Sequence, residues 1–211
     1  MLKLIPGVKV DIIPNGVDTE FYSAKKIERK SPQRILYGVT NFEWLQNLEA
    51  SEILLNNVWP KVKSQVPGAK VWIVGRKIAE WIKKLSEVDK RVEVTENIPD
   101  ARDAYGSASI MVAPIKGAGG TRLKILEAMA AGLPVVSTSI GVAGLNITHG
   151  KQALIADTDQ GLANEAVKLL KNPEVAERIG EAGREHVRTY FDWKVIVKLH
   201  DPIYRQVLKT K

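Results

Sequence analysis

The 211-residue chain contains no cysteine, which excludes disulfide bonds, thiolate metal sites and cysteine nucleophiles. Its three histidines, His149, His186 and His200, lie too far apart for metal-ligand spacing. No apolar run approaches the ~18 residues that a membrane-spanning helix requires. The first ten residues are interrupted by Pro6 and Gly7 and are too short for a secretory signal. We therefore expect a cytoplasmic protein that binds no metal.

Long runs of positive charge are also missing, although Lys and Arg outnumber Asp and Glu by 31 to 24 and the net charge is +7. No basic run exceeds two residues, whereas nucleic-acid arms and membrane-tethering segments cluster about four or more. The surplus predicts a solvated basic surface and no nucleic-acid partner. Polyanion binding stays open as an alternative, which steep salt dependence of binding to arbitrary DNA would support.

What the chain does contain is an alternation of short β-branched runs and longer amphipathic stretches. The runs predict six buried strands over residues 34–39, 69–74, 91–94, 109–113, 134–137 and 153–156. The amphipathic stretches predict helices over residues 47–65, 76–88, 100–107, 121–131, 158–171, 174–189 and 193–208. Because no hairpin signal separates the strands, the fold class is α/β: a Rossmann-like, doubly wound, mainly parallel six-stranded sheet with helices on both faces. No linker is apparent, so residues 1–211 are predicted to form one domain.

The expected topology locates a ligand site. Doubly wound sheets most often have the strand order 3-2-1-4-5-6, and ligands bind outside the carboxyl ends of strands 1 and 4, where the winding reverses. Gly38 lies near the end of strand 1, and a glycine-rich loop over residues 114–120 follows strand 4. We expect the two to face each other across a cleft.

The glycine-rich loop and the helix after it have the character of an anion site. Gly117, Gly119 and Gly120 allow the backbone to approach a ligand closely. The helix predicted to begin at Thr121 directs free N–H groups and the positive end of its dipole toward the loop.

The same helix carries two charged residues beside the anion site. Its apolar arc is formed by Leu123, Ile125, Leu126, Met129 and Ala130. Lys124 and Glu127 share the opposite face beside the small Ala128 and Ala131, so we expect neither charge to contribute much to folding. A lysine can neutralise phosphate, and a carboxylate can accept hydrogen bonds from both ribose hydroxyls, so the pair predicts a nucleotide site. A surface ion pair between the two is the alternative interpretation. The spacing fits neither G-x-G-x-x-G after the first strand nor G-x-x-x-x-G-K-[ST].

Four segments together carry a family resemblance: GGTRLKILEAMAAGLPVVST (119–138), IPNGVD (13–18), VWIVGR (71–76) and YFDW (190–193). They resemble the donor-binding half of retaining GT-B glycosyltransferases, above all glycosyltransferase family 4, also called glycosyl transferases group 1. The resemblance implies that the chain is one half of a GT-B fold and binds a UDP- or GDP-sugar. Transfer would be retaining, would need no metal or other cofactor, and would use an acceptor held by an N-terminal domain preceding Met1. By itself the chain is then expected to be inactive or weakly active.

The resemblance assigns site residues only at positions where this sequence matches the motif of the family. It assigns ribose binding to Glu127. The glutamate that supports the sugar in the family is replaced here by Gly119, and the backbone of Gly119, Gly120 and Thr121 would take over the role of that glutamate. The basic pair that often follows strand 1 in the family is missing from residues 38–47, so Lys124 and Arg122 would meet the diphosphate charge. Gly75 and Arg76 would lie along the nucleotide, and the backbone near Ile98 would meet the base. No catalytic residue is assigned in this half.

Two other functions remain open at this point. A nucleotide-sugar epimerase could use the same site, and formation of an epimer from donor alone would identify it. The protein could also be a nucleotide-binding module without catalysis. Release of free nucleotide by the full protein in the presence of a suitable acceptor would exclude this function. We expect a monomer, since a sheet covered on both faces buries its own core. Membrane contact, if any, would come through the missing half, leaving the full enzyme at most peripheral to the membrane.

Overall fold

The computed structural model describes residues 10–24, 33–117 and 122–209. Its strands are β1 (Arg34–Asn41), β2 (Lys70–Arg76), β3 (Val92–Glu96), β4 (Ile110–Ala113), β5 (Val135–Ser137) and β6 (Leu154–Ile155). They form one sheet in the order β3-β2-β1-β4-β5-β6, and every neighbouring pair is parallel. The predicted strand number, order and direction are therefore confirmed.

Helices connect the strands and follow the last one. They are α1 (Thr19–Ser23), α2 (Leu45–Glu52), α3 (Trp59–Gln65), α4 (Glu80–Val88), α5 (Ala101–Ser107), α6 (Leu123–Ala130), α7 (Asp159–Lys171), α8 (Pro173–Tyr190), α9 (Trp193–Ile196) and α10 (His200–Lys209). The π-helical segment Ile53–Val58 joins α2 to α3, and the 3-10 turn Val197–Leu199 joins α9 to α10.

Both interrupted stretches were predicted as single helices, over residues 47–65 and 193–208, and each contains a proline. Pro60 and Pro202 have no N–H to donate to the carbonyl four residues earlier, and their rings crowd that carbonyl. A wider π turn before Pro60 and a tighter 3-10 turn before Pro202 accommodate this crowding. The prediction of regular helices through these points was wrong.

Strands β1, β2 and β3 each run two residues further than the apolar pattern predicts, to Asn41, Arg76 and Glu96. Parallel pairing continues there, with Asn41 opposite Arg76. Backbone hydrogen bonds do not require apolar side chains, so the hydrophobic pattern did not mark these ends. As a result, α4 begins only at Glu80 rather than at residue 76.

The core lies around the two central strands. Ile35, Leu36 and Tyr37 of β1 and all four residues of β4 are fully buried. Successive side chains of a strand point to opposite faces, so consecutive burial shows that helices cover both faces of the sheet. Because helices cover both faces of the sheet, a ligand can reach the central strands only at their ends, and polar side chains lie at the carboxyl ends.

None of the helices within the described ranges combines the length and the apolar character that crossing a bilayer requires. Even α8, with 18 residues, carries charged side chains along its length.

Candidate functional site

The carboxyl ends of β1 and β2 approach each other so closely that only glycine fits at two positions. Gly38 has φ +142°, and a Cβ atom there would lie 1.9 Å from the carbonyl oxygen of Val74. A Cβ atom on Gly75 would lie 2.1 Å from the carbonyl oxygen of Thr40. These predicted site residues therefore shape the edge of the cleft through their backbone.

Backbone strain is concentrated along the same edge. The register of β1 shifts between Gly38 and Thr40, and Val39 at this bulge has φ +52°. Lys77 and Asn97, which directly follow β2 and β3, have φ +56° and +55°. Left-handed backbone is unusual for any residue with a side chain and most of all for a β-branched valine. Such residues cluster at ligand sites, so the strain supports a functional role for this edge.

Lys124, in the first turn of α6, turns toward the sheet instead of toward solvent. Its Nζ donates a hydrogen bond to Asn47 Oδ1 at 2.5 Å and lies 3.5 Å from the hydroxyl of Tyr37. The same nitrogen sits 4.9 Å from the centre of the Tyr37 ring. Among the described residues, no ion pair joins Lys124 to Glu127, so the surface-pair interpretation has no support in the geometry.

This position changes the acidity of the amine. Burial and, to a smaller extent, the positive charge of Arg122 lower the pKa of Lys124, the Glu127 carboxylate acts in the opposite direction, and the resulting pKa is about 7. Near neutral pH the side chain is therefore divided between the amine and the ammonium form.

Glu127 lies one turn further along α6, and tyrosines hold its carboxylate. The hydroxyl of the fully buried Tyr105 donates a hydrogen bond to Glu127 Oε2 at 2.8 Å. Tyr22 of α1 also hydrogen-bonds to this carboxylate. Burial and the Glu127 charge raise the pKa of both tyrosines, which keeps their hydroxyls protonated as donors. Because Glu127 accepts from a buried hydroxyl, we expect it to contribute to folding, in contrast to the expectation from the helical wheel.

Helix α6 differs from the helical-wheel prediction in two residues. Leu123, assigned to the apolar arc, is 42% exposed, whereas Ala128, assigned to the charged face, is fully buried. The described helix begins at Leu123, whose side chain lines the cavity with Lys124 and Glu127. Arg122 precedes the helix as its N-cap and donates from Nη2 to the carbonyl oxygen of Gly117 at 2.7 Å.

The structure brings six of the predicted site residues into two adjoining cavities. A cavity of about 690 Å³ is lined by Arg122, Lys124 and Glu127, together with Trp44 and Asn47. A second cavity, of about 480 Å³, is lined by Gly75, Arg76 and Ile98. Both are bounded by residues 39–41, directly after Gly38. The predicted residues Gly119, Gly120 and Thr121 lie outside the described residues.

Sequence reasoning missed the uncharged residues that hold the two charged ones. Tyr37 and Asn47 are 87 and 77 residues from Lys124, and Tyr105 is 22 residues from Glu127. Each looked like an ordinary strand or helix residue, and no local spacing connects it to its partner. Within the described ranges, no group of three or more His, Cys, Asp or Glu side chains could hold a metal ion.

Comparisons with known proteins give the arrangement a context. A family model described as "Glycosyl transferases group 1" matches residues 33–172. N-acetyl-alpha-D-glucosaminyl L-malate synthase of Bacillus anthracis is 24% identical over 97% of the chain and 55% of its own length. GDP-mannose-dependent alpha-(1-6)-phosphatidylinositol monomannoside mannosyltransferase of Mycobacterium tuberculosis is 28% identical over 93% of the chain and 56% of its own length. The chain thus spans about half the length of these curated relatives.

Solved structures share the fold. The crystal structure of HepE from Anabaena in complex with UDP-glucose superimposes with a TM-score of 0.72 and 16% identity, over 94% of this chain and 57% of that one. The described sheet and helices therefore correspond to one half of that longer chain.

Proposed function

Since the chain belongs to the glycosyl transferases group 1 family and has the fold of a GT-B half, we propose that it holds a nucleoside-diphosphate sugar at the carboxyl edge of its sheet. Lys124 and Glu127 line one cavity at the point where the strand order reverses, and this observation carries the proposal. In the complete enzyme, an N-terminal domain would hold the acceptor, and transfer would be retaining and independent of metal.

Relatives with named donors support the nucleotide class. One is described as GDP-mannose-dependent, and a structure with the same fold was solved with UDP-glucose. UDP- and GDP-sugars are therefore the donors we propose for this chain.

In this proposal, the two cavities bind different parts of the ligand. The Lys124 ammonium would meet the diphosphate, assisted by Arg122 and by the positive end of the α6 dipole. Glu127, in the same cavity, would accept hydrogen bonds from the ribose hydroxyls. The base would then extend into the adjoining cavity toward Ile98.

The chemistry proposed for this half is charge stabilisation of the leaving group. As the bond between sugar and diphosphate breaks, negative charge grows on the phosphate oxygen, and a preorganised cation stabilises that charge. Lys124 is the described cation best placed for this, because residues 38–47 contain no Lys or Arg. We assign no general base to this half, since the acceptor would lie in the other domain.

A second candidate is a nucleotide-binding module without catalysis. The specific observation in its favour is the same lack of a basic pair after β1, together with Gly119 in place of the sugar-supporting glutamate. Nucleotide release by the complete protein in the presence of a suitable acceptor separates the two, because only a transferase releases nucleotide stoichiometrically with glycosylated product.

The direct test of donor binding is thermal unfolding of the chain with a panel of nucleoside diphosphates. A ligand at a hundredfold excess over its Kd stabilises the folded state by about 2.7 kcal/mol, which shifts the Tm measurably. We expect UDP or GDP to raise the Tm and the nucleosides alone to raise it much less. A panel without any stabilising nucleotide would contradict the proposal. The chain without its partner domain should bind donor but turn it over poorly.

Glu127→Gln should reduce the affinity for UDP or GDP about five- to tenfold, because a charged hydrogen-bond acceptor becomes neutral. The 2′-deoxy nucleotides should lose less, since they lack one of the ribose hydroxyls. The glutamine oxygen can still accept from the buried Tyr105, although it cannot replace both carboxylate oxygens for Tyr105 and Tyr22, so the stability should fall by no more than about 1 kcal/mol. Calorimetric titration of both nucleotide types measures the difference.

Two further variants make this test specific. Glu127→Ala removes the acceptor of the buried Tyr105 hydroxyl and should cost about 1 to 3 kcal/mol of stability. Glu87→Gln removes an exposed carboxylate from α4 and should change neither binding nor stability. Equal losses for ribo- and deoxynucleotides in Glu127→Gln would argue against a ribose contact.

A further inference from the structure

The lysine of the cleft is held entirely by uncharged groups. Its Nζ donates to Asn47 Oδ1 at 2.5 Å, and the hydroxyl and ring of Tyr37 lie beside it. A lysine that served only to stabilise the fold would gain more from a carboxylate partner. The position therefore keeps the cation next to the cavity without neutralising it.

Asn47 is fixed in the one orientation that accepts from Lys124. The side-chain Nδ2 of Asn47 donates to the backbone carbonyl oxygen of Asn41 at 2.8 Å. The backbone carbonyl oxygen of Asn47 accepts from the Tyr37 hydroxyl at 3.2 Å. A carbonyl oxygen can only accept, so the amide nitrogen must face Asn41 and the amide oxygen must face Lys124. Rotation of the amide would lose both of the side-chain hydrogen bonds.

No described element packed against Lys124 supplies a counter-ion. From β1 the facing group is the hydroxyl of Tyr37, and from α2 it is the neutral amide of Asn47. Two charges of α6 and its N-cap act on Lys124. Glu127 attracts the ammonium, but its carboxylate is hydrogen-bonded to tyrosines, and Arg122 repels the ammonium. The ammonium form is thus left for an incoming anion to stabilise.

We propose, on the basis of the proposed function, that Asn47 is a positioning residue that withholds a carboxylate partner from Lys124. The diphosphate of the donor then becomes the first counter-ion of this lysine, and donor binding brings one proton into the cleft. The proton is taken from solvent onto Nζ, and no other bond changes.

The sign of the pH dependence follows from the two protonation states. The pKa of Lys124 is about 7 in the protein alone, and a bound diphosphate raises it because the anion favours the ammonium form. Between those two pKa values binding takes up a proton, so Kd rises with pH, by at most about tenfold per pH unit. Below about pH 7 Lys124 is already largely charged, and its contribution becomes independent of pH.

Asn47→Asp tests this, because it places a carboxylate beside Lys124 and keeps the lysine charged. It also removes the hydrogen bond from Asn47 Nδ2 to the Asn41 carbonyl oxygen, so the pH profile, and not the affinity alone, is the measurement that decides. The terminal phosphate of a nucleotide ionises near pH 6, and the uracil and guanine rings lose a proton only in more alkaline solution, so Kd for UDP and GDP is compared between about pH 7.5 and 8.5, where the charge of the ligand changes little. For the wild type we expect Kd to rise about fivefold over this range, with about one proton taken up in calorimetry with buffers of different ionisation enthalpy. For Asn47→Asp we expect weaker binding at pH 7.5, a Kd that changes less than about twofold over the range, and almost no proton uptake.

Two controls identify the lysine and the charge. Lys124→Met should bind weakly with a flat pH profile. Asn56→Asp introduces the same charge at an exposed position of the π-helical segment and should retain the wild-type profile. A flat wild-type profile, or an Asn47→Asp profile equal to the wild type, would overturn the proposal.

A direct titration separates this inference from the proposed function. With lysine labelled at 13Cε, the Lys124 signal, assigned by its loss in Lys124→Met, should titrate near pH 7 without nucleotide and well above that value in Asn47→Asp. Titration at an ordinary lysine pKa in the wild type would overturn the inference even if nucleotides bind. Failure of wild-type protein to bind any nucleotide would overturn the proposed function, while this titration would still decide how Asn47 acts on Lys124.

Discussion

Lys124→Ala should weaken the binding of UDP or GDP roughly 30- to 150-fold near neutral pH, the equivalent of about 2 to 3 kcal/mol for a charged hydrogen bond. Uridine or guanosine should bind within about twofold of wild type, since a nucleoside carries no phosphate for the lysine to meet. Calorimetric titration with matched nucleotide and nucleoside measures both values.

The same variant should fold at least as well as wild type. Burial lowers the pKa of Lys124, so the charged lysine is less favourable in the folded chain than in the unfolded chain. A loss of affinity with an unchanged Tm therefore points to a ligand contact and not to a damaged fold. Lys84→Ala, which removes an exposed lysine from α4, is the matched control and should leave both quantities unchanged. Equal losses for nucleotide and nucleoside would argue against a phosphate contact.

Gly38→Ala should reduce the free energy of unfolding by about 3 kcal/mol or more. The added methyl carbon would lie 1.9 Å from the carbonyl oxygen of Val74, and the backbone has φ +142°, which side chains rarely allow. Relief requires the two paired strands to separate at the edge of the cleft. Urea unfolding measures the loss, and nucleotide binding should weaken with it.

Gly68→Ala is a glycine control from the turn before β2. A Cβ atom there would meet no atom within 4 Å, and its backbone is outside the left-handed region. We expect no loss of stability and a gain of up to about 1 kcal/mol from reduced freedom of the unfolded chain. Similar stabilities of the two variants would show that β1 and β2 are not in close contact at Gly38.

Local spacing was sufficient to predict that Lys124 and Glu127 lie together at the carboxyl edge of the sheet. Lys124 and Glu127 lie on one helix behind a glycine-rich loop, and the alternation of strands and helices predicts which strand ends face that loop. The strand order followed because crossover handedness leaves few arrangements for such a chain. The predicted location of Lys124 and Glu127 therefore depended little on how individual side chains pack.

The side chains that hold the charges could not be predicted in the same way. Tyr37 looked like a core residue of a buried strand, and Asn47 like a polar helix residue, because their contacts with Lys124 exist only after the chain has folded. Tyr105 and its hydrogen bond to Glu127 belong to the same class. Helix interruptions at Pro60 and Pro202 were foreseeable from the missing N–H groups, but not the form each interruption takes.

The left-handed residues at the strand ends have a consequence for selection experiments. A non-glycine residue in this conformation costs about 1 to 2 kcal/mol, and asparagine less, so glycine at Lys77 would largely remove that cost, whereas glycine at Val39 would also lose packing against the core. A library selected only for thermal stability should accumulate glycine at Lys77 and, less strongly, at Asn97. The same library selected for donor binding should retain whichever of these side chains the ligand uses. Positions at which the two selected populations differ would therefore outline the ligand footprint, whatever the sugar and the acceptor are.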